Sequence, residues 1–248
     1  MQHDGVLRRA NGGDRMTELS DVDFAAARHL MVDGQLRPNK VTDPRLVSAL
    51  RTLPREQFLP AGRRHLAYGD EDVALDGLAS EPGRVMVAPL VIARLLQAAA
   101  ARPGERALVV GAGTGYGAAV LAAMGLQVTA LESDPALVTF AQAAIAASGQ
   151  PVSLVRGPLA EGWAAGAPYN LVVIEGAVAA IPLALGEQLA AAAPGGGGGR
   201  LLAVVGAEGD VTRAMIAEKS AAGLRSVPLF DCPTRHLAAM SPEPAFVF

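Results

Sequence analysis

Only one cysteine, Cys232, occurs among the 248 residues. A lone thiol forms no intrachain disulfide, so the expectation is a core-stabilised protein of a reducing compartment, the cytoplasm. Nothing beside Cys232 activates it, and it reads as filler rather than as a nucleophile. No uninterrupted apolar run approaches the ~20 residues of a membrane-spanning helix, although 51% of the residues are apolar. Much of that share is alanine, which signals alanine-rich helices and buried strands. Lysine and arginine are scattered and the net charge is −3, which argues against a grip on nucleic-acid backbone or a membrane surface. His29, His65 and His236 are too far apart for metal-ligand spacing, so no metal is expected. No internal repeat is evident, and a chain of this length supports one substantial core.

The polar stretch from Met1 to Arg15 contains Gly12-Gly13 and no apolar centre. It has neither the pattern of a signal peptide nor that of a transit peptide, and disorder is expected. Met16 would make an equally sensible start.

What is present centres on Arg106-Ala-Leu-Val-Val-Gly111-Ala-Gly113-Thr-Gly115-Tyr-Gly117. Ala107–Val110 reads as a buried parallel strand, and Ala118–Met124 as a helix without a breaker. Strand, glycine turn and helix together aim backbone N–H groups and a helix N-terminus at a polar ligand. The spacing is G-x-G-x-G-x-G from Gly111, with Tyr116 where a dinucleotide fingerprint places its third glycine. A bare tight turn is the alternative. The next unit favours a ligand: Gln127–Leu131 is a second strand, and it ends on Glu132, about 20 residues beyond the loop, where an acid accepts ribose hydroxyls.

Strands and helices alternate around this unit. Ser20 or Asp21 is expected to cap a helix over Phe24–Leu36, stopped by Pro38, and Asp43-Pro44 starts a second helix. Residues 61–86 lack periodicity and are expected to lie irregularly across the ligand edge of the sheet. Pro89–Ala101 is expected to be helical, as is Pro135–Ser148, capped by Asp134 and ended by Gly149. Further strands are expected at Val152–Arg156, Tyr169–Ile174, Arg200–Val205, Leu224–Phe230 and Ala245–Phe248. Helices are expected at Ile181–Ala193 and Val211–Ala222. The implied fold is α/β: a doubly wound, mostly parallel seven-stranded sheet with a late antiparallel pair and an N-terminal helical extension.

Several blocks then line up with one family. Met31-Val-Asp-Gly-Gln-Leu-Arg37, Asp43-Pro44-Arg45, Leu53-Pro-Arg-Glu-Gln-Phe-Leu-Pro60 and Ala67-Tyr68 come first. The helix from Pro89, Gly111–Tyr116, Glu132, Gly162-Trp163, Ala167-Pro168-Tyr169 and Ile181-Pro182 follow in order. Over about residues 28–206 the sequence resembles the protein-L-isoaspartate O-methyltransferases, a Rossmann-like methyltransferase family. The resemblance implies transfer of methyl from S-adenosylmethionine to the carboxyl of isoaspartyl residues in damaged proteins. It implies residues 1–19 as an extension and 20–248 as a single methyltransferase-like domain, with 20–103 helical or irregular and 104–248 carrying the sheet. The cofactor residues it implies are Gly111, Ala112, Gly113, Thr114, Gly115, Tyr116, Glu132 and Ser133.

The departures fall mainly on the acceptor side. Where the family has a threonine and a serine before the proline matching Pro89, this chain has Val85 and Val87; Glu175 follows the fourth sheet strand where the family has a small or hydroxyl residue. An acid used near the adenine is also missing, because Gly157 is followed by Pro158-Leu159. The acceptor-side candidates are therefore Arg84, Val87 and Glu175. Arg84 either pairs with an incoming carboxylate or is a solvated loop residue. Glu175 is a base, a charge partner or a surface acid. Trp163 is expected to pack beside the third strand. The alternatives to isoaspartyl transfer are methylation of another, unidentified acceptor, and a relative that binds S-adenosylmethionine or S-adenosylhomocysteine without catalysis. A nicotinamide oxidoreductase is disfavoured by Tyr116 and by the lack of a hydride-relay group.

Overall fold

The computed structural model describes residues 23–192, 197–207 and 209–240. The expected extension at 1–19 and the expected strand at Ala245–Phe248 lie outside the described residues. Seven strands form the main sheet: β3 (Arg106–Val110), β4 (Gln127–Glu132), β5 (Val152–Arg156), β6 (Leu171–Val178), β7 (Arg200–Val205), β8 (Arg213–Ser220) and β9 (Gly223–Asp231). Their order is β5-β4-β3-β6-β7-β8-β9, and β5 through β7 run parallel. β8 and β9 continue the sheet antiparallel. β1 (Val73–Ala74) and β2 (Val85–Met86) make a separate two-stranded ribbon.

The helices are α1 (Phe24–Met31), α2 (Pro44–Thr52), α3 (Pro89–Ala98), α4 (Tyr116–Ala123), α5 (Pro135–Ser148) and α6 (Leu183–Glu187). None of the described helices is long and apolar enough to cross a membrane. Asp23, rather than Ser20 or Asp21, caps α1 by accepting from the Ala26 amide at 2.9 Å, and the helix passes into a wider π turn over Val32–Leu36. α4 is apolar around its whole circumference and nearly all of it is buried, as an inner helix must be. The central strands β3 and β6 are buried along almost their full length, so apolar runs rather than alternation mark them.

Two expected helices fail, for physical reasons. Val211–Ala222 is alanine-rich and looks helical, yet its centre forms β8. The outer edge of β7 leaves a row of backbone groups to satisfy, and β8 pairs with it over six residues. Ser220 Oγ then accepts from the Ala222 amide and donates to the Gly223 carbonyl, closing a tight turn into β9, with Gly223 at φ +117°. Pairing thus overrides a weak helix propensity. The expected helix Ile181–Ala193 shrinks to α6, because the backbones of Gln188 and Ala190 bond to Tyr169 instead of continuing the helix.

The strand order reverses between β3 and β6, whose pairing ends at Val110 and Ile174. Beyond that point the two strands part and leave the crevice where open α/β sheets bind ligands. The register of β6 against β7 also shifts between Val173 and Ala177, a bulge that sets the direction of Glu175 at the mouth of this crevice.

Of the irregular stretch expected at 61–86, Ala61–Leu66 form a 3-10 helix and Val73–Ala74 pairs with Val85–Met86 in the small ribbon, while residues 75–84 between those strands lie across that mouth. Asp134 fastens them. Its carboxylate accepts from the Ala136 and Leu137 amides, capping α5, and also from the Ser80 and Glu81 amides and the Ser80 hydroxyl. Burial pushes the Asp134 carboxyl up, but these amides outweigh it and hold the group below its ordinary range. Because the folded value lies below the unfolded one, this stabilisation is complete above the unfolded value of 3.8 and is lost as pH falls through the folded value. Asp134→Ala is expected to lower the unfolding free energy by about 1–2 kcal/mol and to open the Arg84–Val85 bond to trypsin. Urea denaturation and limited proteolysis check both effects, and acidification below about pH 4 should expose the same segment to an acid-tolerant protease.

Candidate functional site

The glycine loop takes backbone conformations that side chains resist. Gly111, Gly113 and Gly115 have φ of +70°, +57° and +91°. A Cβ at Gly115 would lie 2.8 Å from Ile145 Cδ1, so this glycine is needed for helix packing as well as for the turn. Gly111 and Ala112 donate to the Leu131 carbonyl at 2.9 and 3.1 Å, and Gly115 donates to Ala112. The Gly113 amide points elsewhere, donating to Glu132 Oε2 at 2.7 Å. Thr114 and Tyr116 are buried beside it.

Glu132 is completely buried and fully engaged. Oε1 accepts from the Ser133 amide at 2.8 Å, the Asp134 amide at 3.0 Å and Arg84 Nη1 at 2.8 Å; Oε2 accepts from Gly113 and from Arg84 Nη2 at 2.6 Å. Arg84 is 2% exposed. Burial opposes its charge, but the paired bonds to Glu132 prevail and raise the guanidinium above its ordinary value. The expected pairing of Arg84 with an incoming carboxylate, and its alternative as a solvated residue, are both corrected here: the partner of Arg84 is the carboxylate of Glu132. Glu132, which the resemblance places at the ribose, is engaged by Arg84 in this structure. Ion-pair formation between two buried groups is the reason, and the contact spans 48 positions of sequence.

On the other side of the loop, Val85 is half-buried and Val87 buried, as apolar side chains beside a core. They line an enclosed cavity of about 10 Å³ with Arg55, Gly113, Thr114, Tyr116 and Glu175. That is room for no more than one water. Arg55 is the residue that sequence reasoning missed. It is 1% exposed, donates from Nε to the Ala67 carbonyl at 2.8 Å and from Nη2 to the Val87 carbonyl at 2.7 Å, and its guanidinium sits 4.7 Å from the Tyr116 ring centroid. A charge enclosed in the apolar block Leu53–Pro60 is the signal that could have found it.

Three buried polar atoms around this cavity have no hydrogen-bond partner among the described residues: Arg55 Nη1, Tyr116 Oη and Glu175 Oε1. Burial pushes Glu175 up to about 8, against the attraction of Arg55 and Arg84 and with a push from Glu132. Burial likewise raises Tyr116 to about 12 and lowers Arg55. Glu175 also accounts for Gly117, because a Cβ there would collide with its carboxylate.

Ser133 gives its amide to Glu132, while its hydroxyl lies 3.4 Å from Oε1. Trp163 packs beside Gly157 at the end of β5, the third strand of the sheet, with its carbonyl accepting from Tyr169 Oη, and takes no part in the cavity. No group of three His, Cys, Asp or Glu residues with metal-holding geometry occurs among the described residues.

The donor set fits an adenosine-type cofactor: glycines without Cβ atoms, a backbone amide and an acid at the end of the second strand. The fit is conditional on Arg84, whose guanidinium uses both Glu132 oxygens and would have to give them up to a ribose diol. Fold and site together define a Rossmann-like methyltransferase domain. Residues 27–229 match the family model of protein-L-isoaspartate(D-aspartate) O-methyltransferase. A protein-L-isoaspartate O-methyltransferase of Methylorubrum extorquens is 41% identical over 167 residues, covering 67% of this chain and 71% of that protein. Protein-L-isoaspartate O-methyltransferase 1 of Rhodopseudomonas palustris is 36% identical over 247 residues, 95% of this chain and 96% of its own length. A solved protein-L-isoaspartate O-methyltransferase shares the fold at a TM-score of 0.74, covering 86% of this chain and 67% of that one at 21% identity. The chain belongs to the protein-L-isoaspartate O-methyltransferase family, which uses S-adenosylmethionine as methyl donor.

Arg84→Ala should leave Glu132 buried with three backbone donors and no counter-charge. It is expected to cost on the order of 3 kcal/mol of stability in the free protein, read by denaturant unfolding. The same variant should bind S-adenosylhomocysteine more tightly by calorimetry, because the competing guanidinium is gone. Glu132→Ala and Gly113→Val should each weaken that binding at least tenfold.

Proposed function

We propose that this protein methylates the carboxylate of isoaspartyl residues in damaged proteins, with S-adenosylmethionine as donor. The observation that carries the reading is the family match from residue 27 to 229, which includes the acceptor-side blocks before Pro89 as well as the glycine loop. Gly111, Gly113 and Gly115 give the close backbone approach, and Glu132, once released by Arg84, takes the ribose. Ala112 and Thr114 shape the loop between the glycines, and Ser133 steadies Glu132 through its amide. When bound, the donor supplies a methyl group on a positively charged sulfur.

The acceptor carboxylate is ionised at neutral pH, so the protein needs no general base for it. Its work is alignment and exclusion of water, and alignment alone can account for a large rate enhancement. Val85 and Val87 desolvate an incoming carboxylate without hydrogen-bonding it, which costs binding energy. Orientation by side-chain hydroxyls is therefore absent at these two positions, and slow turnover is the consequence. On this reading the enzyme works in the cytoplasm with a damaged protein as its partner, and with neither nucleic acid nor membrane.

Incubation with a methyl-labelled donor and an isoaspartyl peptide is expected to yield a base-labile methyl ester, and no ester with the normal aspartyl peptide. Absence of labelled ester from a protein that binds the donor would reject this substrate. Val87→Ser is expected to raise kcat/KM on the isoaspartyl peptide about tenfold, the worth of one orienting hydrogen bond.

A further inference from the structure

Val85 and Val87 share the small cavity with Glu175. Of all its lining residues only Val85 and Glu175 are not fully buried, so its way out lies between them. Three buried polar atoms around this space lack a partner: Nη1 of Arg55, Oη of Tyr116 and Oε1 of Glu175. Leaving such an atom unpaired costs about 1–3 kcal/mol, more when it is charged. Arg55 and Glu175 do not relieve that cost by pairing, since no salt bridge joins them among the described residues. The guanidinium is held by its bonds to the Ala67 and Val87 carbonyls, and the carboxyl rests against Gly117, where a Cβ would collide with it.

The proton on Glu175 decides what these atoms can bind. Glu132 is ringed by donors, whereas Oε1 of Glu175 has none. A carboxyl buried without donors keeps its proton, because nothing replaces the water its ionised form would lose. Burial pushes Glu175 up to about 8, against the attraction of Arg55 and Arg84 and with a push from Glu132, so it is mostly neutral at pH 7. A protonated carboxyl is a hydrogen-bond donor. Burial also keeps the Tyr116 hydroxyl protonated, at about 12. The cavity therefore presents three donors, one of them cationic, around about 10 Å³. That is the room of one water, and equally of one oxygen atom of a larger group whose remainder stays outside. Donors converging on a single oxygen complement an anionic one.

We propose that Glu175 is an acceptor-site residue: with Arg55 and Tyr116 it donates to one oxygen of the acceptor carboxylate, and the second oxygen stays outside the cavity, free to react. An acid at 175 thus supplies an orienting bond that the side chains at 85 and 87 lack. This inference rests on the isoaspartyl reading above and gives a role to a position where the chain departs from its family. Methylation of a carboxylate moves no proton, so Glu175 keeps its own throughout. The groups facing it are Arg55 from its turn, Tyr116 from α4, Glu132 from β4 and Arg84 from the segment over the mouth. An anion beside Glu175 favours its neutral form. Acceptor affinity is therefore constant at lower pH and falls as pH rises through about 8, where Glu175 of the free protein ionises. A general base at 175 would give the opposite slope.

An isoaspartyl peptide is titrated calorimetrically into the protein loaded with S-adenosylhomocysteine, from about pH 6 to about pH 9. Methyl transfer is followed in parallel as S-adenosylhomocysteine formed, because the ester itself is base-labile. Glu175→Ala is expected to weaken peptide binding and kcat/KM about tenfold at pH 7 and to leave S-adenosylhomocysteine affinity within about twofold. Glu175→Gln keeps a weaker donor that cannot ionise, so the loss shrinks to about threefold and the decline above pH 8 disappears. Urea denaturation checks that both variants fold. A glutamine variant as poor as the alanine variant, an affinity that rises with pH, or an alanine variant that binds peptide like the unaltered protein overturns the assignment. A larger loss for S-adenosylhomocysteine than for the peptide places Glu175 at the donor and overturns it too. In each of these cases methyl transfer by the unaltered protein leaves the isoaspartyl reading standing. Peptide binding with the expected pH dependence but no transfer supports the assignment and removes the proposed reaction. An unaltered protein that neither binds nor methylates the peptide overturns both.

Discussion

The ion pair between Arg84 and Glu132 governs the state of the site. Two oppositely charged groups, both almost fully withdrawn from water, meet through two parallel hydrogen bonds of 2.8 and 2.6 Å. Such geometry is strong locally, but desolvating both ions cancels much of the gain, so the net worth of the pair is modest. Glu132 also has three amide donors, from Gly113, Ser133 and Asp134, which do not depend on Arg84. Exchanging the guanidinium for a pair of hydroxyls therefore alters only part of the carboxylate's bonding. Arg84, for its part, already lies 3.9 Å from the half-buried Glu81. It has an acid beside it towards the surface. A closed seat and a ligand-binding seat are in this sense two settings of one set of bonds, separated by a difference a ligand can supply.

The second constraint is the cost of burying charge without pairing it. Around the cavity the protein tolerates unpartnered atoms on Arg55, Tyr116 and Glu175. The raised pKa of Glu175 is the visible sign of that cost. These groups are held apart by rigid features: the prolines flanking the turn that carries Arg55, the bulge of β6, and the inner helix α4 packed on all sides. The fold thereby keeps a polar site from collapsing into a salt bridge.

How much of this is legible in the sequence follows from the range of each interaction. β3, the glycine loop, β4 and the capped helix α5 have local signals, in apolar runs, obligatory glycines and an aspartate before a proline, and all appear where the sequence places them. β8 does not, because Ala214 and Ala217 pack equally well on a helix or on a sheet and the deciding term is the unpaired edge of β7. The pattern implies a seven-stranded sheet without β8, its seventh strand being Ala245–Phe248, outside the described residues. Gly113 and Ser133, named through the resemblance, both bond to Glu132 at one crevice. Arg84 and Glu132 carry no mark of each other, since nothing local links residues 48 positions apart. Arg55 is visible as part of a distinctive block, but a sequence does not show which of its nitrogens is left unbonded.

The segment over the mouth borders both halves of the site. Arg84 and Val85 are successive residues. Val85 is paired to Ala74 in the small ribbon, and the Ala88 amide after it is fixed to Asp72 at 2.7 Å. The backbone on either side of Arg84 and Val87 is thus anchored, with the Val87 carbonyl also accepting from Arg55, so the guanidinium can leave Glu132 for Glu81 by a change in its own side chain. The missing hydroxyls at Val85 and Val87 thus bear on more than the final alignment of a carboxylate: apolar side chains at these positions also favour the closed form, in which they are withdrawn from water.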